Sequence, residues 1–290
     1  VSRREKNRPG PVFRSGSGGL VFDPKTGLGK ALTPPKTNSI LLPWGMWTRD
    51  SRHLIVPMQV EQRGAPPVPP VVPAGPNVEE TTGKISKLRT FQDLLKNPYD
   101  EALFEYYARS QLYRYDVESG RREPFGNPGL FQDLSISPDS SLILVEKLKQ
   151  PFSKIVPAHL FAQVTEIWDN QGKLVKTVAD LPAAEDLPIQ GVRKGPRGIS
   201  WQPLFPATLI WIEALDGGDP NVKVPFREKI ITWAAPFAGA PTELFQLPQR
   251  FAGIDWLQSP GLGLFADYDR DKKWTTTRLF NTSHPVNASQ

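Results

Sequence analysis

Residues 115–120 read YDVESG and lie between two strand-like runs, and the same arrangement recurs as FDPKTG at 22–27 and WDNQG at 168–172. In each copy an aromatic residue and an aspartate end one run, and a glycine precedes the next. The aspartate can accept hydrogen bonds from the turn backbone, and the glycine can adopt the positive φ that other residues resist. The pattern therefore predicts three tight β-hairpins, with looser copies at Trp233 with Gly239 and at Phe280 with Asn281.

A second kind of hairpin alternates with the first. Its turns are 47–50 WTRD before HLIVPMQV, 136–139 ISPD before LILVEKL, 201–203 WQP before ATLIWIEAL, and Trp256 before GLGLFADYD. The alternation and the β-branched content of these runs indicate strands. Two hairpins make a four-stranded unit, and units repeating about every 45 to 65 residues are typical of β-propeller blades.

The predicted fold is therefore all-β, a partial β-propeller of four-stranded antiparallel blades. About four blades are expected, the first and last incomplete, so that blade faces stay uncovered. A β-sandwich with long loops is the alternative. It would explain the strands but not the repeated turn chemistry.

The domain organisation predicted from composition has three parts. Residues 1–19 form a flexible basic N-terminal segment, and residues 20–290 form the partial propeller. An insertion at 61–110 combines a proline-rich run, APPVPPVVPAGP at 65–76, with helices. The run is interpreted as a stiff strap across a blade, the alternative being a ligand for an aromatic-lined groove. Helical sequence is expected at 90–97 and again after Pro98, with Asp100 as N-cap and Leu103, Phe104 and Tyr107 on one packed face.

Composition excludes several classes of protein. The chain has 290 residues with 31 prolines, 23 glycines and no cysteine, which excludes disulfides, thiolate metal sites and a cysteine nucleophile. The net charge of +5 is concentrated in the N-terminal segment, so neither a nucleic-acid partner nor a membrane partner is expected. No apolar run approaches the roughly 20 residues of a membrane span. The start at Val-Ser-Arg-Arg, without methionine, indicates a piece of a longer product.

No catalytic, metal or cofactor site is predicted. The three histidines, His53, His159 and His284, lie far apart, and no Gly-x-Ser-x-Gly elbow is present, so a catalytic triad would require distant residues to converge. The alternating aspartates 267, 269 and 271 resemble a calcium loop. Lys272 replaces the required glycine and Arg278 the bidentate acid, so an exposed hairpin tip explains them better. Asp216-Gly-Gly-Asp219 is interpreted as a tight turn.

Three arginines remain as candidate substrate-binding residues: Arg193, Arg197 and Arg250, each in or after a turn rich in Gly, Pro or Gln. On a propeller, loops at the rim of the central channel are held rigidly by the blades. Guanidinium groups there could bind a substrate carboxylate bidentately. Ordinary solvated arginines are the alternative interpretation.

Several longer motifs carry a resemblance. The run at 72–112, VPAGPNVEETTGKISKLRTFQDLLKNPYDEALFEYYARSQL, is followed by ISPDSSLILVEKLKQPFSKIVPAHLF, GPRGISWQPLFPATLIWIEALDGGDP and QRFAGIDW. Together they resemble the propeller region of prolyl-oligopeptidase-family serine peptidases, in the glutamyl-endopeptidase-like branch, from about Ala31 to Pro285. The chain departs from the family pattern at Gln150 and Lys154, which puts a substrate role for that loop in doubt, and at Ser140, which alters a turn.

The resemblance implies a function. In the family a propeller covers a C-terminal α/β-hydrolase domain that bears Ser, Asp and His, and no counterpart of that domain is present here. The chain is therefore expected to be a non-catalytic segment that gates access to a hydrolase site outside this chain. The substrate of that site is expected to be a peptide, and no cofactor is expected. Cytoplasmic or chloroplast-stroma-like residence is implied. The alternative is a stand-alone propeller that binds a partner protein; a propeller glycosidase would need paired carboxylates, and the sequence nominates no such pair.

Overall fold

The computed structural model describes residues 11–13, 18–23, 25–43, 45–71 and 91–283. The basic residues Arg3, Arg4, Lys6, Arg8 and Arg14, most of the predicted segment 1–19, residues 72–90 and His284 lie outside these ranges.

Seventeen strands, one α-helix and one short 3-10 helix form the described part of the chain. The strands are β1 (Pro11–Phe13), β2 (Gly19–Phe22), β3 (Gly29–Ala31), β4 (Met46–Trp47), β5 (His53–Gln59), β6 (Ser110–Asp116), β7 (Arg122–Ile136), β8 (Leu142–Leu148), β9 (Gln163–Asp169), β10 (Leu174–Leu181), β11 (Arg197–Trp201), β12 (Thr208–Ala214), β13 (Glu228–Ala234), β14 (Thr242–Leu247), β15 (Arg250–Trp256), β16 (Leu262–Asp269) and β17 (Trp274–Asn281). The all-β prediction is confirmed.

The strands make four sheets, all of whose described pairings are antiparallel. The first contains β1 to β3, the second β4 to β10, the third β11 to β14 and the fourth β15 to β17, each in sequence order. In the second sheet the long strand β7 changes partner, because its first half pairs with β6 and its second half with β8. Gly126, at a φ of 65°, lies at the register shift within the first half, between Phe125 and Gly129. Among the described residues no sheet closes on itself.

Strand direction gives the sheets two distinct ends. One, here called the turn end, carries most of the tight hairpin turns. The other, the loop end, carries the longer connections β3–β4, β5–β6, β8–β9, β10–β11 and β12–β13, together with the tight β16–β17 turn. The turn chemistry predicted from the sequence is confirmed, since Gly27, Gly120, Gly172 and Gly239 all have positive φ. In the same turns Asp23, Asp116 and Asp169 accept backbone hydrogen bonds from Lys25, Ser119 and Gln171 at 2.8–2.9 Å.

The apolar core lies between the faces of neighbouring sheets. Leu144 and Ile167 of the second sheet pack with Trp201, Trp211 and Ile231 of the third. A further cluster joins the third and fourth sheets, with Phe245 and Phe265 in edge-to-face contact at 4.9 Å between ring centroids. These contacts order the sheets side by side, which places the loop-end connections of adjacent sheets next to one another.

The insertion departs from the sequence prediction in three ways. Its single described helix, α1 (Pro98–Ala108), is capped by Asn97, whose side chain accepts a hydrogen bond from the Asp100 amide, so the assignment of Asp100 as N-cap was wrong. Residues 91–97 form no helix. Phe104 packs on Phe152 and Phe161 as expected, but Tyr107 is 44% exposed.

Candidate functional site at the loop end

The structure places all three predicted arginines at the loop end. Arg193 lies in the β10–β11 connection, Arg197 opens β11 and Arg250 opens β15. Arg197 and Arg250 belong to one cluster because both contact Glu228, whereas Arg193 has different partners. The loop end of the third sheet therefore carries two adjacent groups of charged side chains.

The first group is a network of ion pairs that joins the third and fourth sheets. Glu228, the first residue of β13, pairs with Arg197 and with Arg250, the latter at 2.7 Å between Oε1 and Nη1. Asp216, in the β12–β13 connection, pairs through Oδ2 with Arg250 at 2.5 Å and with Arg227 at 2.8 Å. We call these five residues the arginine–carboxylate network.

Burial makes this network energetically significant. The side chains of Asp216 and Glu228 are 0% exposed, while the three arginine side chains are 17–22% exposed. Buried carboxylates are tolerated when they are paired and hydrogen-bonded, and each of these has two guanidinium partners. Three arginines against two carboxylates leave a formal charge of +1 in a partly buried place.

Asp216, Arg227 and Glu228 are residues that the sequence reasoning did not nominate. Asp216 was interpreted only as part of a turn, and that turn exists, because Gly218 donates its amide to Asp216 Oδ1 at 3.0 Å. The available signal was an aspartate directly after the apolar strand run that ends at Leu215. Its partner Arg250 is 34 residues away, and sequence alone offers no way to choose that partner.

Arg193 is held by neutral acceptors. It donates to Gln163 Oε1 at 2.6 Å, to the Phe161 carbonyl at 2.7 Å and to the Pro182 carbonyl. Burial lowers the pKa of its guanidinium and the negative charge of Glu146 partly offsets that effect. Among the ion pairs of the described residues none includes Arg193, so its positive charge has no direct carboxylate partner.

Glu146 is a further residue that the sequence reasoning missed. It lies directly opposite Asp133 in the β7–β8 pairing. Burial raises the pKa of the Glu146 carboxyl, the charge of Asp133 raises it further, and Arg193 opposes both effects. Asp133, Glu146 and Arg193 therefore interact electrostatically without forming an ion pair.

A cavity of about 170 Å³ opens beside Arg193. It lies between the β10–β11 connection and Gly217, and Lys194 on its wall pairs with Asp186 at 2.6 Å. A volume of this size corresponds to one amino-acid side chain and falls below the roughly 300 Å³ of small-molecule sites. The lining is mostly apolar, and its charged side chains are Arg193, Lys194 and Asp186.

The histidines and aspartates that the sequence analysis considered as site residues lie in structural positions. His53 lies at the turn end, where its Nδ1 contacts Asp50 at 2.7 Å, and His159 lies in the 3-10 helix Ala158–Leu160. In the part of the chain that the structure describes, no group of three His, Cys, Asp or Glu residues could hold a metal ion. Asp267 is buried and pairs with Arg278 at 2.9 Å, so the expectation of an exposed tip was wrong for this residue.

Sequence comparison with curated proteins gives two strong matches. The chain is 37% identical over 236 residues to a probable chloroplastic glutamyl endopeptidase of Oryza sativa subsp. japonica, and 41% identical over 212 residues to its namesake in Arabidopsis thaliana. The chain is related to glutamyl endopeptidases. The resemblance inferred from the sequence is thus confirmed. The alignments cover 80% and 71% of this chain but only 25% and 22% of the relatives.

Comparison with solved structures finds chains of similar fold. An acylaminoacyl peptidase matches with a TM-score of 0.51 at 9% identity, over 97% of this chain and 40% of that one. The β-propeller domain of a Pyrococcus furiosus protease matches with a TM-score of 0.49 at 9% identity, over 93% and 62% of the two chains. No family model matches the sequence. No helix in the described ranges has the length and apolar character that a membrane span needs.

Proposed function

We propose that this chain is a non-catalytic segment of a glutamyl-endopeptidase-like serine peptidase of the prolyl oligopeptidase family. The segment restricts the entry of peptides to a hydrolase site formed by other residues of that protein. One observation carries the proposal: identity of 37–41% extends over most of this chain and over only about a quarter of each relative. The chemistry of such a peptidase is acyl transfer to serine and then to water, and it needs a triad that this chain does not supply.

The sheet pattern supports the architectural part of this proposal. Strands β4 to the first half of β7, the second half of β7 to β10, and β11 to β14 each supply four antiparallel strands, as propeller blades do. Residues 20–290 then form an arc of a propeller, with the insertion at 61–110 and the basic segment 1–19 as additions. On the fourth sheet, Leu279 is 61% exposed, as expected for a face on which a further blade packs.

The loop end is the proposed contact surface for an acidic substrate side chain. Arg193 is the proposed direct ligand, because its guanidinium meets neutral acceptors only and lines a cavity of side-chain size. Arg197 and Arg250 are not proposed as direct ligands, since their guanidinium groups already bind carboxylates. They attract the acidic side chain through the surplus positive charge of the arginine–carboxylate network. Arg193 and the surplus charge of the network attract an acid in a partly desolvated place, where charge interactions are strong, while Glu146 and Asp186 oppose this attraction.

Kinetics on the complete peptidase test the recognition step. R193A is compared with R121A, which removes an exposed arginine at the turn end, and kcat/KM is measured for matched peptides with Glu or Gln before the cleaved bond. We expect R193A to reduce the Glu/Gln ratio by about 10-fold to 100-fold, the value of a charge-assisted hydrogen bond, and R121A to leave it unchanged. An unchanged ratio in R193A would remove this residue as a ligand.

Hydrolysis assays on the isolated 290-residue chain test the non-catalytic assignment. We expect no turnover of the Glu peptide, because among the described residues no hydrogen bond joins a serine to a histidine. Turnover that persists through rigorous purification would contradict the proposal. A transcript with a stop codon soon after codon 290 would instead favour a stand-alone propeller that binds a partner protein.

We also propose a chloroplast-stroma-like or cytoplasmic compartment. The names of both plant relatives place them in the chloroplast, and this supports the stromal alternative. Localisation of a fluorescently tagged full-length protein tests the assignment.

A further inference from the structure

The proline-rich segment after β5 has a conformation that its sequence dictates. Residues 65–70 read APPVPP. Each proline fixes φ near −65°, and every residue that precedes a proline is pushed into the extended or polyproline II region. Prolines also lack the amide that a sheet would need. Residues 65–71 accordingly belong to no strand or helix of the structure.

Contacts with α1 hold this segment in place. The Tyr106 hydroxyl donates to the Gly64 carbonyl at 2.9 Å, and the Arg63 guanidinium lies 4.5 Å from the centroid of the Tyr106 ring. Arg63 also donates to Gln59 Oε1 at 3.2 Å. Pro67 lines a groove of about 460 Å³ together with Ala102 and Tyr106 of α1. The segment is therefore fixed at its start, and Pro67 faces α1 across the groove. We call residues 65–71 the proline ridge.

The other edges of the ridge face solvent. A polyproline II helix has three residues per turn, so Ala65, Val68 and Val71 share one edge. Val68 is 81% exposed and Val71 is 100% exposed, and Pro66 and Pro69 on the neighbouring edge are exposed as well. A strap that served only to cover a blade would bury its apolar side chains against the protein. Here they point away from it.

We propose that the proline ridge binds an aromatic-lined groove of a partner protein in the polyproline II mode. Such grooves bind Pro-x-x-Pro segments as a preformed helix, and binding then costs little conformational entropy. The ridge offers the spacing Pro66-x-x-Pro69 on a solvent-facing edge. The ridge belongs to the β5–β6 connection and therefore also lies at the loop end, but its proposed role does not depend on the peptidase proposal.

The experiment uses the folded 290-residue chain and a fixed panel of purified probes: one SH3, one WW and one EVH1 domain. Isothermal titration calorimetry measures each Kd. We expect at least one domain to bind with a micromolar Kd, and P66A/P69A to weaken that binding at least tenfold. The matched control is P34A/P35A, which also removes two exposed prolines. These two prolines are adjacent and lack the Pro-x-x-Pro spacing, so the control should bind as the wild type does.

A second variant guards against misfolding. V68E leaves every proline in place and adds a charge to the solvent-facing apolar edge, so it should also weaken binding at least tenfold while its thermal unfolding matches that of the wild type. The proposal is overturned if no domain binds at about 1 mM, or if V68E and P66A/P69A bind as tightly as the wild type. An equal loss in P34A/P35A would overturn it as well, because the effect would then not come from the ridge.

Discussion

The arginine–carboxylate network should dominate the stability of the seam between the third and fourth sheets, and R250A is its sharpest test. Arg250 contacts both buried carboxylates, Glu228 and Asp216. Removing one partner of a buried ion pair costs about 3 to 5 kcal/mol, because the remaining charge is left uncompensated. Each carboxylate keeps one arginine after the change, Arg197 for Glu228 and Arg227 for Asp216, so the expected loss is about 3 kcal/mol, the lower end of that range.

Urea unfolding followed by tryptophan fluorescence measures this loss, since Trp211 and Trp233 lie in the core of the third sheet. R121A serves as the control and should change the free energy of unfolding by less than about 0.5 kcal/mol, as expected for an exposed arginine. R250K keeps the charge but cannot bridge two carboxylates with a planar fork, and it should fall between R250A and the wild type. A loss below about 1 kcal/mol in R250A, with an unchanged urea dependence, would refute the reasoning, because it would mean that the network is solvated.

Three further predictions concern stability. The pKa of Asp50 is lowered to about 2, because hydrogen bonds from Thr48, the Arg52 amide and the His53 ring outweigh the raising effect of burial. A lowered carboxyl pKa stabilises above the unfolded-state value of about 3.9 and loses that contribution as pH falls through the folded value. D50A should thus be about 1 kcal/mol less stable than the wild type at pH 6, a value discounted for the half-exposed side chain. In urea titrations the difference should narrow as the pH falls and close only below about pH 2. A difference that widens on acidification would contradict this. F265A removes a ring that is 1% exposed and should cost about 3 to 5 kcal/mol in thermal or urea unfolding, so a cost below about 1 kcal/mol would exclude tight packing at the seam. N97A removes the α1 cap and should cost about 1 kcal/mol by the same assay, whereas D100A should cost less if Asn97 is the cap.

The hairpins could be predicted because their causes are local. An aspartate that caps a turn and a glycine at positive φ act within six residues, so the sequence around Asp116 and Gly120 contains all the information needed. The N-cap residue of α1 was harder to predict. Asn97 and Asp100 are both good capping residues, but Pro98 suits the first helical position, and that places the cap at Asn97.

The loop-end site could be predicted only in part. Arg193, Arg197 and Arg250 were nominated for their turn context, and they do lie at one end of the sheets. Their partners depend on long-range packing: Arg197 meets Glu228 31 residues later, and Arg250 meets Asp216 34 residues earlier. Sequence periodicity describes faces and turns, but it does not tell which sheet packs beside which, and the charge balance of the site follows from that packing.

Residues 91–97 illustrate the same limit. Their composition suggested a helix, yet Phe91 and Leu95 pack against the cluster around Phe152 and Phe161 from an irregular segment. Burial of these side chains thus prevails over helix propensity, which is a weak preference for a segment this short.

Labelling with a fluorophosphonate probe, which reacts with activated serines, tests the central claim most directly. The native protein is captured from its source with an antiserum raised against the purified 290-residue chain, and both samples are labelled side by side. The proposed function predicts an unlabelled 290-residue chain and a labelled native protein several times its mass, because the alignments cover only 22–25% of the relatives. A labelled 290-residue chain, or a native protein of the same size as this chain that does not label, would contradict it.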